Sequence, residues 1–233
     1  MKFIRLLEFC SSFSSSREDI QNRLPKALKQ NPQVFEPYEK ALQKLDAENW
    51  ELIKQKLKKR LIKHSLRGWS QFFETLSEVK GFSYLIDEKC SSIKFILESS
   101  ISTPDMKGKQ SNGNGVLLES KVIGFSNDER KYILENSERL SSGQELVIRK
   151  VEEGLSNGLG NKIRKTIESA KVQLFSYKPS DATIRRIIYL TVQLDIPYML
   201  DPRKYAEVVN FFKRLIKNET DVEIIVDREI STI

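Results

Sequence analysis

Histidine is almost missing from this chain: His64 is the only one in 233 residues, and Cys10 and Cys90 are the only cysteines. A lone histidine with no serine elbow near it excludes a Ser-His-Asp nucleophilic triad. Two thiols without ligand spacing provide neither a zinc site nor a disulfide framework, and they fit packing residues in a reducing compartment. No apolar run approaches the ~20 residues that a membrane span requires, so no membrane partner is expected. Near the start, Arg5 and Glu8 interrupt the apolar stretch and no clean small-residue cleavage site follows. That reads against a signal peptide and for a cytoplasmic protein. A phosphate-cradling loop is excluded as well, because the glycines from Gly154 to Gly160 lack the following Lys-Ser/Thr.

What the chain does have is positive charge. Thirty-nine Lys and Arg against 32 Asp and Glu leave a net +7, a balance that favours a polyanionic partner. Part of it lies on a helix expected over 48–64, where Trp50, Ile53, Leu57 and Leu61 recur at helical spacing and Lys54, Lys56, Lys58, Lys59, Arg60 and Lys63 fill the remainder. Composition alone reads that face as solvated surface. A second helical pattern covers 67–85, with Trp69, Phe72, Phe73, Leu76 and Val79 on one side and Glu74, Glu78 and Gly81 turned away from it.

Extended segments follow. Residues 92–98 are β-prone, Lys107 to Gly115 has the composition of a flexible hairpin connection, and 116–123 reads as a strand. Ser126 and Glu129 have capping-box spacing and start a helix to about Leu140, with another helical pattern over 144–154. Gly154, Asn157, Gly158, Gly160 and Asn161 then break the chain before a helix from Lys162 to about Tyr177. Residues 186–194 are the most strand-like stretch, Asp201-Pro202 starts a helix to about Lys217, and 222–226 makes a last strand. The order fits an α/β fold with a mixed central sheet flanked by helices.

One constellation within this order has chemical meaning. Side chains alternate along a strand, so Glu119 and Lys121 project from the same face, roughly 7 Å apart. Asp105 lies fourteen residues before Glu119, and hairpin pairing through the glycine-rich connection brings it alongside. Two converging carboxylates repel unless a cation sits between them, and Mg²⁺ commonly takes one or two carboxylates with water and phosphate completing its octahedron. A neighbouring lysine can hold and polarise an attacking water. Asp87, Glu88 and Glu98 lack this strand-to-strand relation and are expected to be solvated.

The run of extended segment, Pro104-Asp105, glycine-rich turn, Glu119-Ser120-Lys121 strand, helix and strand resembles the core signature of the PD-(D/E)XK nuclease superfamily. The resemblance covers roughly residues 67–195 and implies a restriction-endonuclease-like core. It implies hydrolysis of a nucleic-acid phosphodiester, DNA before RNA, with Mg²⁺, or Mn²⁺ in its place, held by Asp105 and Glu119 while Lys121 positions the water. It also implies a further catalytic glutamate on the preceding helix, at Glu78 with small Gly81 one turn on. Gln173 and Tyr177, four residues apart on the helix after the lysine strand, then stand near the substrate or the lysine strand. The expected organisation is an N-terminal helical extension over 1–64 and a nuclease-like domain over 65–233. About forty residues between Lys121 and Lys162 depart from the family's short link, as a helical insertion at about 125–160. The alternative expectation is a nucleic-acid-binding or structural protein of the same fold that has lost cleavage, with the basic 54–63 helix making phosphate contacts whose affinity falls steeply with salt.

Overall fold

In the computed structural model the described residues are 2–13, 18–30, 32–61, 66–96, 102–124, 157–178, 183–193, 210–217 and 219–229. His64, Glu98, the expected helices at 126–140 and 144–154 and the Asp201 cap lie outside them. Five helices come first: α1 (Ile4–Ser11), α2 (Glu18–Gln30), α3 (Pro32–Gln43), α4 (Ala47–Leu61) and α5 (Leu66–Asp87). Strands β1 (Ser91–Phe95), β2 (Met106–Lys109) and β3 (Gly115–Ile123) follow, then α6 (Asn157–Ser176), β4 (Ile184–Gln193), a helical stretch over 210–217, and β5 (Glu223–Glu229).

The strands form one mixed sheet in the order β1-β2-β3-β4-β5. The pairs β1–β2 and β2–β3 are antiparallel, as a short hairpin connection dictates. The pairs β3–β4 and β4–β5 are parallel, and parallel neighbours need a long crossover, in which α6 lies between β3 and β4.

Alternation divides the sheet into two buried faces. Val116 and Leu118 of β3 with Ile187 and Tyr189 of β4 join a core built with α1 to α5. Leu117 and Ile123 with Ile188, Leu190 and Val192 join a second core, where Ile163, Ile167, Ala170 and Leu174 supply the apolar stripe of α6. The expected mixed α/β sheet with helices on both faces is therefore what the chain forms.

The expected boundary at 64/65 does not separate two cores. Residues Leu6, Phe9, Phe35, Leu42, Ile53 and Leu57 share one apolar cluster with Phe72, Leu76 and Leu118, so the N-terminal helices are a layer of the same body. A buried carboxylate ties this layer together: Glu39 of α3 accepts the N–H groups of Arg5 at 2.9 Å and Leu6 at 3.0 Å, at the otherwise unpaired start of α1.

Two local expectations are corrected. Lys107-Gly108-Lys109 belongs to β2, because Lys107 and Gly108 pair with Leu117 and Val116, and the turn shrinks to Gln110–Asn114 with Gly113 at φ +85°. The glycines read as a break at 157–161 form the first turns of α6, where Leu159 and Gly160 are buried. Burial of that end outweighs the intrinsic helix cost of two glycines, about 1 kcal/mol each.

Helix α5 is central, and its second half is buried on nearly all sides, Glu78 and Lys80 included. A Cβ at Gly81 would stand 2.9 Å from Leu118 Cδ2, so glycine lets α5 lie close on β3. That approach carries Glu78, one turn earlier, toward the β2–β3 hairpin. Among the described residues no helix is long and apolar enough to cross a membrane.

Candidate active site

The hairpin register explains how two acids meet. Met106 pairs with Leu118, so the residue before Met106 lies beside the residue after Leu118, and these are Asp105 and Glu119. Backbone bonds lock the pair: the Asp105 N–H donates to Glu119 Oε2 at 3.1 Å, and the Ser120 N–H donates to Asp105 Oδ2 at 2.7 Å. Behind the strand, Ser120 Oγ lies 3.1 Å from Ser77 Oγ of α5, and Ser77 also bonds Thr191 of β4, which fixes this point of β3 against its neighbours.

Lys121, two residues on and on the same face as Glu119, completes the group. Its Nζ lies 2.5 Å from Glu119 Oε1 and donates to Gln173 Oε1 at 2.6 Å. Gln173 in turn donates from Nε2 to the Thr103 carbonyl at 3.2 Å. The amide therefore aims the ammonium and fastens it to the segment that leads into Asp105.

Glu78 enters from α5, with Lys56 of α4 donating to its Oε2 at 2.7 Å. All of these groups border one cleft of about 890 Å³ or hold residues that do. Glu78, Asp105, Glu119, Lys121 and Gln173 are in its lining.

The electrostatics of the cleft are those of crowded acids. Burial pushes the Glu119 carboxyl up to about 8, the nearby Asp105 charge adds to this, and Lys121 offsets only part. Burial and the same Asp105 charge push Glu78 up to about 7 against the pull of Lys56 and Arg60. Glu119 is 1 % exposed, so water does little to relieve the crowding.

Among the described residues, no three carboxylate, histidine or cysteine side chains stand together as a ready cage for a metal ion. With Glu78 engaged by Lys56, the adjacent acids are Asp105 and Glu119. Their chemistry fits Mg²⁺: hard oxygen donors, two in number, in an open cleft that leaves coordination positions for water and phosphate. The mutual destabilisation of the two acids is of the kind that a bound cation removes.

Tyr177 does not line the cleft. Helix α6 ends at Ser176, so the following residue departs from the helical face that carries Gln173, and the half-buried Tyr177 packs against the apolar cluster between α6 and the sheet. Asp87 pairs with Lys44 at 2.6 Å and Glu88 with Arg185 at 3.2 Å, both away from the cleft.

Sequence reasoning offers the basic 54–63 helix for phosphate contacts only in the alternative without cleavage, and it does not single out the lysines of α6. Arg60 of α4 and Lys162 and Lys165 of α6 border the cleft. The available signal was spacing: Lys56 and Arg60 are four residues apart on one helix face, and Lys162, Thr166, Ser169 and Gln173 recur at four, three and four.

Comparison of the chain with family models, with curated proteins and with solved structures finds no match in any of the three.

Proposed function

We propose that the protein is a Mg²⁺-dependent phosphodiesterase of the PD-(D/E)XK kind, with a restriction-endonuclease-like core, that hydrolyses nucleic acid and DNA in particular. The observation that carries this reading is the meeting of Asp105 with Glu119 on a β-hairpin, with the Lys121 ammonium 2.5 Å from Glu119, at a cleft. A structural ion pair on a strand needs no second acid beside it. Here a second acid raises the cost of ionising the first.

Asp105 and Glu119 would hold the ion, which when bound offsets the negative charge that develops on the phosphate. Lys121 sits where its ammonium can donate a hydrogen bond to a water and turn the water's lone pair toward phosphorus. Gln173 limits the lysine's freedom, so little reorientation is required when the substrate enters. In the reaction the water oxygen bonds to phosphorus as the bond to one sugar oxygen breaks. The proton lost by water passes to solvent, and the leaving sugar oxygen takes a proton from solvent.

The test is incubation of the full chain with labelled single-stranded and duplex DNA. Cleavage is expected with Mg²⁺ and not with EDTA, and Lys121→Ala is expected to lower the rate about 10²-fold or more while the protein stays folded. Intact DNA after long incubation with Mg²⁺ and Mn²⁺, or a Lys121→Ala variant as fast as wild type, overturns the proposal. Salt-sensitive binding without any cleavage would favour the non-cleaving binding protein.

A further inference from the structure

The acidic floor of the cleft poses a problem for the ligand proposed above. Asp105, with Glu78 and Glu119 wherever they are ionised, repels a phosphodiester backbone, so a polyanion that settles there needs cations close by. Two helices supply them from opposite faces of the sheet. Helix α4 belongs to the core that contains Leu118 and Ile187, and α6 to the core that contains Leu117 and Ile188.

The side chains are directed by helical spacing. On α6, burial of Ile163, Ile167, Ala170 and Leu174 against the sheet turns Lys162, Thr166, Ser169 and Gln173 to the cleft, with Lys165 beside them. The Lys162 ammonium donates to the Gly124 carbonyl at 3.0 Å, which anchors it just past the end of β3. On α4, burial of Trp50, Ile53, Leu57 and Leu61 leaves Lys56 over Glu78 and Arg60 one turn further along the cleft wall. The hydrolytic step proposed above makes no use of Arg60, Lys162 or Lys165.

We infer that Arg60 of α4 and Lys162 and Lys165 of α6 grip the sugar-phosphate backbone on the two flanks of the scissile phosphate, which makes the N-terminal helical layer part of the substrate-binding surface. This rests on the proposed reading in taking nucleic acid as the ligand, but it does not depend on cleavage. It assigns α4, a helix outside the stretch that resembles the nuclease family, to phosphate contacts. Such contacts hold the strand without reading its bases, and their strength falls steeply with salt.

The experiment is fluorescence anisotropy of the full chain with a labelled single-stranded oligodeoxynucleotide in EDTA, where hydrolysis does not intervene. Arg60→Glu and Lys165→Glu are each expected to weaken binding by roughly tenfold or more and to make the salt dependence shallower by about one unit of slope. Lys59→Glu makes the same change in net charge at an exposed site on α4 outside the cleft lining, and it is expected to weaken binding less than about twofold. Arg60→Gln, checked by thermal melting, covers the case in which a new carboxylate beside Glu78 unfolds the protein. Equal binding by the Arg60, Lys165 and Lys59 variants overturns the inference, as does a wild type that does not bind. Cleavage with Mg²⁺ by a wild type whose Arg60 and Lys165 variants bind like Lys59→Glu leaves the hydrolase reading standing and removes this one. Binding lost through Arg60 and Lys165 in a wild type that never cleaves does the reverse.

Discussion

Glu119→Gln is expected to stabilise the metal-free protein at alkaline pH while removing the proposed phosphodiesterase activity. The carboxyl is 1 % exposed and lies beside Asp105, and its surroundings, Lys121 included, push it up to about 8. Its ionised form is thus disfavoured in the fold. Glutamine has the same shape, keeps an oxygen to accept the Asp105 N–H and cannot ionise, while Lys121 keeps Gln173 as a partner. At pH 9 the melting temperature is expected to rise by about 2–4 °C for each kcal/mol of relief. At pH 5 it should hardly change, because Glu119 is already neutral there. Cleavage is expected to fall on the order of 10³-fold, through loss of a charged metal ligand. Circular dichroism melts and a nuclease assay on the same samples check both. A lower melting temperature at pH 9 with cleavage intact would mark Glu119 as a structural partner of Lys121 and no more.

The second large effect is a linkage between pH and divalent cation. Glu78 and Glu119 both start from an ordinary value of 4.5, and the fold raises them to about 7 and about 8. Between those limits the folded chain holds protons that the unfolded chain has released. The contribution to stability is therefore complete below about pH 4.5 and is lost as pH rises through 7 and then 8. In EDTA the melting temperature should fall across that window. On the proposed reading Mg²⁺ takes the place of the Glu119 proton, so it should raise the melting temperature more at pH 8.5 than at pH 6. At a concentration of 100 times Kd the gain is about 2.7 kcal/mol. Melts in EDTA and in Mg²⁺ across this range provide the measurement. A Mg²⁺ effect that does not depend on pH, or that survives intact in Glu119→Gln, would contradict the assignment of these oxygens to the ion.

Much of this site was legible because it depends on local periodicity. Alternation along β3 puts Glu119 and Lys121 on one face, and a short glycine-bearing turn forces the antiparallel pairing that returns Asp105 to Glu119. Gln173 was legible as a residue near the lysine strand, and it bonds Lys121 directly. Tyr177, expected beside it, packs on the cluster that includes Leu117 and Ile123 of the same strand but stays out of the cleft lining, because four residues imply one helix face only while the helix lasts and α6 stops at Ser176. The first turns of α6 were hidden for the opposite reason, since Gly158 and Gly160 have poor helix propensity and tertiary burial decides their state. Least visible was the arrival of α4 at the cleft. Lys56 and Arg60 share a face by sequence, but that this face meets Glu78 follows from packing of α4 on α5, a long-range fact with no local mark. The same holds for the shared core of the N-terminal helices, whose own apolar stripes do not reveal what they cover.

The claim on which all else depends is that Asp105 and Glu119 share one divalent ion. Anomalous diffraction from crystals grown with Mn²⁺ tests it without reference to any reaction. The expected result is a manganese peak between the two carboxylates, within about 2.3 Å of an oxygen from each. A map with no peak there while the two side chains remain ordered, or with manganese bound only elsewhere, would contradict it.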